Sequence, residues 1–482
     1  MPKSPPPPNA GENSRSTAPI VDVGLRELAK FAPAFQRDPL DVFLRLRAAF
    51  GPSIAFERPG RSRDRKRTVV VTCDPALIHD LVTDPTLRSS GLTIAGEHGS
   101  SHRRIRQGLF RMHGDEHRRH RLLIGGTLQK KAVETTAATM AVVVDDFANE
   151  WRPGSVRDLA ADMKEIARRV AATILFGLGV EESARIGAMA EDWWADNFKT
   201  LPQLLEFDWP GLPYHRMHRK AERLESVLLD VIARRREALA DSGTDDLLAG
   251  LIRAGDERGA LSDAELVGHT SILFLAAHET TAYALTWTLL LLSQHPNTAV
   301  RLVDELDGQL GGRAPLPSDE LPFLGRVIRE SLRVLPVVPY VTRVAQAPLT
   351  LGGREFSRRT RAILPFYAMH LDPELFPEPR RFDPDRFAGP EPTPYTYLPF
   401  GAGPHLCVGI NFAQQTLRIA LATLLQRFRF TLVEGTRVDH RVTVTIAPKR
   451  AIPIRVEAPD AAFERVALRG SINRLVDWGP LA

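Results

Sequence analysis

Residues 400–409, which read Phe-Gly-Ala-Gly-Pro-His-Leu-Cys-Val-Gly, restrict the fold of this chain more than any other stretch. They hold one of only two cysteines and stand just before an apolar helical pattern running from about 411 to 428. A cysteine so placed meets backbone N–H groups and the positive end of a helix, and both favour its thiolate. Glycines at 401, 403 and 409 let the main chain fold tightly around the sulfur and approach a flat partner. A thiolate in a dry, amide-lined loop suits an axial haem ligand. A buried structural cysteine is the plainer use of a lone Cys, so the surrounding pattern has to decide.

The rest of the chain reads as one large, mainly helical body with small β-sheets. Helical spacing covers 39–50, 75–82, 114–123, 133–151, 158–176, 183–199, 218–240, 263–293 and 321–332. Short strands are expected at 53–56, 68–72, 349–351, 361–365 and 441–446, with a charged turn at 57–66. Residues 88–113 read as a mobile loop, and 208–213 as a turn. The apolar stretch 271–292 is interrupted by His278 and Glu279, so it is read as a buried helix rather than a membrane span. No GxGxxG motif follows a strand and there is no P-loop, which disfavours a nicotinamide-binding dehydrogenase.

Residues 1–19, rich in Pro, Ser and Asn, are expected to form a disordered arm without a membrane anchor. Residues 20–457 form the main domain, and 458–482 an extension of unassigned role, expected to pack on the body. Cys73 and Cys407 offer no disulfide framework, which suits a reducing compartment, and Cys73 beside a strand reads as core. A net charge of +5 without aromatic residues interleaved among the basic ones argues against nucleic-acid binding.

The 400–409 stretch resembles the haem-ligand signature of the cytochrome P450 family, Phe-x-x-Gly-x-(Arg/His)-x-Cys-x-Gly, at Phe400, Gly403, His405, Cys407 and Gly409. Ala413 matches the small residue often found six places after the ligand. Ala276-Ala277-His278-Glu279-Thr280-Thr281 is similar to the family's (Ala/Gly)-Gly-x-(Asp/Glu)-Thr-(Thr/Ser), with Ala277 in place of the glycine. Glu330-Ser331-Leu332-Arg333 is similar to its Glu-x-x-Arg, which a later Arg386 joins.

The resemblance implies a P450 fold enclosing one haem b, with Cys407 as the metal ligand. Phe400, Gly401, His405, Gly409, Ala413 and Ala277 would border the haem. His117, Arg121, Arg343 and His405 would receive its propionates. Arg118 and Arg119 read as an ordinary solvated face. Glu279 and Thr280 would be the catalytic pair: reduced dioxygen needs protons in a dry pocket, where stray delivery wastes the oxidant as peroxide. Thr280 can also bond to the carbonyl of Ala276 and open the helix locally. His278 reads as structural.

The implied reaction is monooxygenation, with hydroxylation or epoxidation of a hydrophobic small molecule in secondary metabolism as the expectation. Electrons are expected from a ferredoxin or flavodoxin with its reductase, and the lack of an anchor implies a cytoplasmic bacterial enzyme. Three alternatives stay open: a peroxide-driven member, against which the acid and alcohol argue; an oxidase that couples or dehydrates without inserting oxygen; and a non-catalytic haem-binding protein. The apolar stretches 272–277 and 337–341 suggest an aromatic, terpenoid or fatty-chain substrate, with polar groups met by the 88–113 loop or Tyr340.

Overall fold

The computed structural model describes residues 18–58, 67–89, 96–197, 208–241, 246–258 and 261–480. Residues 1–17 of the N-terminal arm, most of the charged turn and 90–95 of the expected loop lie outside them.

One helix, Asp263–Ser293, organises the molecule. It starts where the Ser262 hydroxyl accepts the Glu265 N–H (3.3 Å) while the Glu265 carboxylate accepts the Ser262 N–H (2.8 Å), a reciprocal cap. Apolar residues occur all round it, so it is stable only where other elements cover every face. The Leu159–Phe176 helix packs along it most extensively. Val180–Asp196, Pro213–Asp241, Leu247–Arg258, Pro322–Val334 and Ile410–Arg427 also lie against it.

Beside this helical core lies a six-stranded sheet. Its strands run in the order Val21–Asp22, Ser53–Arg58, Arg67–Thr72, Arg361–Leu364, Val341–Ala345 and Leu87–Ser89. Three smaller sheets lie among the described residues. Cys73 is buried beside the large sheet, its thiol 3.4 Å from the Pro52 carbonyl. No helix among the described residues is long and apolar enough to cross a membrane.

Several sequence expectations are corrected. The 133–151 helix is two, Lys130–Glu134 and Ala137–Ala148, broken where Thr135 and Thr136 turn their hydroxyls onto the carbonyls of Ala132 and Val133. The 441–446 strand is a hairpin, with His440–Val442 antiparallel to Ile446–Pro448. The described part of 88–113 is not simply a loop: it holds a turn of helix at Ser101–Arg104, and His102 and Ile105 are fully buried. Beyond the central helix, Pro296 opens a further helix, Pro296–Leu310, because proline fits the first helical turn as well as it ends the preceding one.

The C-terminal segment is mostly irregular, with one short 3-10 turn at Ser471–Arg474. It packs on the body through buried Ile472, Leu475 and Val476.

Candidate active site

The cysteine loop is held by its own backbone. The Cys407 N–H donates to the Phe400 carbonyl (2.9 Å), and the Ala413 N–H to that of Gly409 (2.8 Å), which joins the loop to the Ile410–Arg427 helix. Gly401 (φ 73°) and Gly403 (φ 68°) take left-handed conformations. A Cβ on Gly403 would stand 2.3 Å from the Val82 carbonyl oxygen, so only glycine lets the loop press against the Pro75–Thr83 helix. Gly409 differs from expectation: its φ of −92° is ordinary, and nothing in the protein lies near its missing Cβ. Its bare face opens toward space that protein does not fill.

Burial pushes the Cys407 thiol up, opposed by the Gly409 N–H and the charge of Arg121. The Gly409 N–H acts in the direction expected of the loop, and burial is the larger effect. A bonded metal cation would reverse that balance, because coordination deprotonates a thiol outright.

The basic residues converge. The rings of His117 and His405 lie 4.3 Å apart, and His113, which sequence reasoning passed over, stands 5.8 Å from His405. Burial and then the neighbouring His117, Arg343, His113 and Arg121 drive His405 down to about 3. Burial and Arg88, followed by His117, Arg343 and Arg111, lower His113 to about 4. The His113 Nδ1 is buried with no hydrogen-bond partner. Arg343 is buried on its strand opposite Ser89, and it donates to the carbonyl of Thr342. The His117 signal was its i, i+4 spacing to Arg121; His113, one turn earlier, continues that face.

On the central helix every residue from Leu266 to Ser293 is buried except Ala276, Ala277, Glu279 and Thr280. The Thr280 hydroxyl donates to the Ala276 carbonyl (2.8 Å), and Thr281 to that of Ala277 (2.9 Å). Burial raises the Glu279 carboxyl; His278, Lys164 and Arg441 lower it and Glu191 adds to the rise. Of the stretch expected to line the pocket, Phe274 turns away and packs on Phe176 at 5.5 Å, since successive helix residues point about 100° apart. Tyr340 packs edge-on to Phe43 at 5.3 Å.

Glu330 and Arg333 are both fully buried. The guanidinium donates to both carboxylate oxygens (2.7 and 2.8 Å) and to the carbonyls of His370, Pro379 and Arg381. Arg386 approaches the same carboxylate at 3.4 Å.

The cytochrome P450 family model matches residues 53–452. The chain belongs to the cytochrome P450 family. It is 32% identical over 382 residues to cyclooctat-9-en-7-ol 5-monooxygenase of Streptomyces melanosporofaciens, an alignment that covers 76% of this chain and 81% of that one. Cyclooctatin synthase of the same organism is 30% identical over 408 residues, with 80% and 86% covered. Among solved structures, retinoic acid-bound cyanobacterial CYP120A1 superposes with a TM-score of 0.74 at 22% identity, covering 89% of this chain and 96% of that one; this is a likeness of fold. The P450 described here is an oxygen-inserting oxidoreductase that works with haem iron, dioxygen and a redox partner.

Proposed function

We propose that this P450 carries haem b on Cys407 and oxygenates a mainly hydrophobic small molecule by hydroxylation or epoxidation. Its electrons would come from a ferredoxin or flavodoxin and its reductase. The haem supplies the splitting of dioxygen, one atom going to the substrate and the other to water.

The observation that carries the reading is the turn 276–280, where Ala276, Ala277, Glu279 and Thr280 are the accessible residues of the helix between Leu266 and Ser293. It belongs with a cysteine loop whose Gly409 faces space the protein leaves empty. On this reading a flat group would lie between these two segments. Its propionates suit the basic cluster of His117, His405, Arg343 and Arg121, to which the unpartnered Nδ1 of His113 adds a donor. Phe400, Gly401, Gly409 and Ala413 would border the ring from the sulfur side, and Ala277 from the other. Thr280 would hold a water against its hydroxyl, while Glu279, whose carboxyl burial pushes up, would supply protons.

The hydrophobic substrate rests on two apolar stretches, with Ile272 buried one turn before the accessible residues and Val337 buried after the Pro322–Val334 helix. The name of the 32%-identical relative, a monooxygenase of cyclooctat-9-en-7-ol, supports the same class. The test is the reduced, carbon monoxide-bound spectrum, followed by turnover under labelled dioxygen with ligands that shift the haem to high spin. A thiolate-type band and one labelled oxygen in the product are expected. Product without label would overturn the insertion reading.

A further inference from the structure

The turn that carries Glu279 also carries a histidine with both nitrogens engaged. His278 is wholly buried; its Nδ1 lies 2.7 Å from the Phe274 carbonyl oxygen and its Nε2 3.1 Å from Glu191 Oε1. A carbonyl oxygen can only accept, so Nδ1 bears a proton. Between Nε2 and a carboxylate oxygen a second proton must be held by one partner or the other. Glu191 stands on a different helix, Val180–Asp196, and its other oxygen accepts from Lys164 on the Leu159–Phe176 helix. The side chains of Lys164 and Glu191 remain 36% and 33% accessible, against 0% for His278. Three helices thus bring a proton-bearing pair from the solvent edge to the turn at 278–280.

The groups facing the Glu279 carboxyl come from four elements. Its own helix contributes His278 and Tyr283; the others are Lys164, Glu191 and Arg441, the last from the hairpin strand His440–Val442. Arg441 hydrogen-bonds to Tyr283. Glu279 and Glu191 lie within each other's electrostatic reach. Burial raises the Glu191 carboxyl, but its hydrogen bonds to His278 and Lys164 and their charges bring it down on balance.

We propose that Glu191 is a relay residue of this oxygenase, passing protons from solvent to Glu279, and that His278 is the positioning residue that holds its carboxylate. The proposal rests on the reading of Glu279 as proton donor given above. In the cycle a proton leaves the Glu279 carboxyl for reduced dioxygen. Glu279 recovers one from the pair formed by Glu191 and His278, and that pair recovers one from water at the Lys164 side. No electron moves in these steps. Because the relay lies on another helix than the donor, proton supply is complete only while the Val180–Asp196 helix is seated on the central helix.

The experiment uses the haem-loaded full chain with a surrogate ferredoxin and reductase, and no added substrate. Oxygen consumption and peroxide release are measured in H2O and in D2O for the wild type, Glu191→Gln, Glu191→Asp and Glu279→Gln. Glu191→Gln should slow oxygen consumption on the order of tenfold and raise the solvent isotope effect. The reduced carbon monoxide spectrum and the rate of reduction under carbon monoxide should stay as in the wild type, which a packing defect would not allow. Glu191→Asp, which keeps an acid, should recover most of the rate. Wild-type rate and isotope effect in Glu191→Gln, beside a slowed Glu279→Gln, would overturn the relay and leave the Glu279 reading intact. If Glu279→Gln is also unaffected, that reading falls and the relay with it. Equal losses in the Gln and Asp variants with a disturbed spectrum would mean a packing role and overturn the relay.

Discussion

A hydroxyl in the middle of a buried helix can satisfy itself on its own backbone or serve a ligand; Thr280 does the first, and the proposed function asks it to do the second. Its bond to the Ala276 carbonyl competes with the helix ladder, which loosens the turn where space is needed. Thr280→Ala should still bind a spin-shifting ligand and accept electrons, yet release more peroxide per product; unchanged coupling would count against the assignment. For Cys407→Ala the thiolate-type carbon monoxide band should vanish, since no other sulfur stands in the loop. Gly403 is a purely steric case. The left-handed backbone alone disfavours Gly403→Ala by about 1–3 kcal/mol, and the contact with the Val82 carbonyl adds to it. A lowered melting temperature with reduced haem retention is the expected result.

Among elements, the Pro322–Val334 helix is the one whose chemistry is all in its partners. An exposed i, i+3 ion pair would contribute under about 1 kcal/mol, whereas the family resemblance implies a buried, structural pair that Arg386 joins. Buried, Arg333 instead ties its helix to the carbonyls of His370, Pro379 and Arg381. Glu330 accepts the Asp383 N–H at 2.9 Å. Arg333→Ala should destabilise by about 3–5 kcal/mol, because it strands a buried carboxylate. Thermal denaturation and the haem-to-protein ratio would read this, and a loss below about 1 kcal/mol would refute it. The C-terminal segment binds a neighbouring part of the same frame. The Asp477 N–H donates to Arg380 and the Val438 N–H to Arg469. At Gly470 (φ 115°) a Cβ would meet the Val438 oxygen at 2.2 Å.

For the whole molecule, buried neutral histidines set the response to acid. His370 is driven to about 3 by burial and Arg333, and its Nε2 accepts the Leu398 N–H just ahead of the cysteine loop. His269 is driven to about 4 by burial and His120. Unfolded, such histidines bind protons below about pH 6.5, while the native ones resist until far lower. Stability is therefore level above that pH and falls as pH drops from about 6.5 toward 4. Melting temperatures across this range would check it, and a flat profile would contradict it. The +5 charge, with exposed Arg118 and Arg119 on the helix that carries His117, suits an acidic electron donor. Reduction rates should fall as ionic strength passes about 0.1 M, where the screening length is near 10 Å.

The sequence by itself determined the elements whose cause is local. The central helix runs over 263–293 as its cap and apolar run dictate, and the helix at 39–50 follows Asp38 and Pro39. Family membership was legible in the loop around Cys407, since five fixed positions in ten residues leave few other meanings. Tertiary structure decided what depends on residues far apart in the chain. It turned one supposed strand into the hairpin that brings Arg441 to Tyr283. It brought His113 to His405, and it gave His278, which reads as an ordinary core residue, a carboxylate 87 positions away. Periodicity and caps report on neighbours a few residues off, whereas desolvation and charge pairing depend on which surfaces the finished fold presses together.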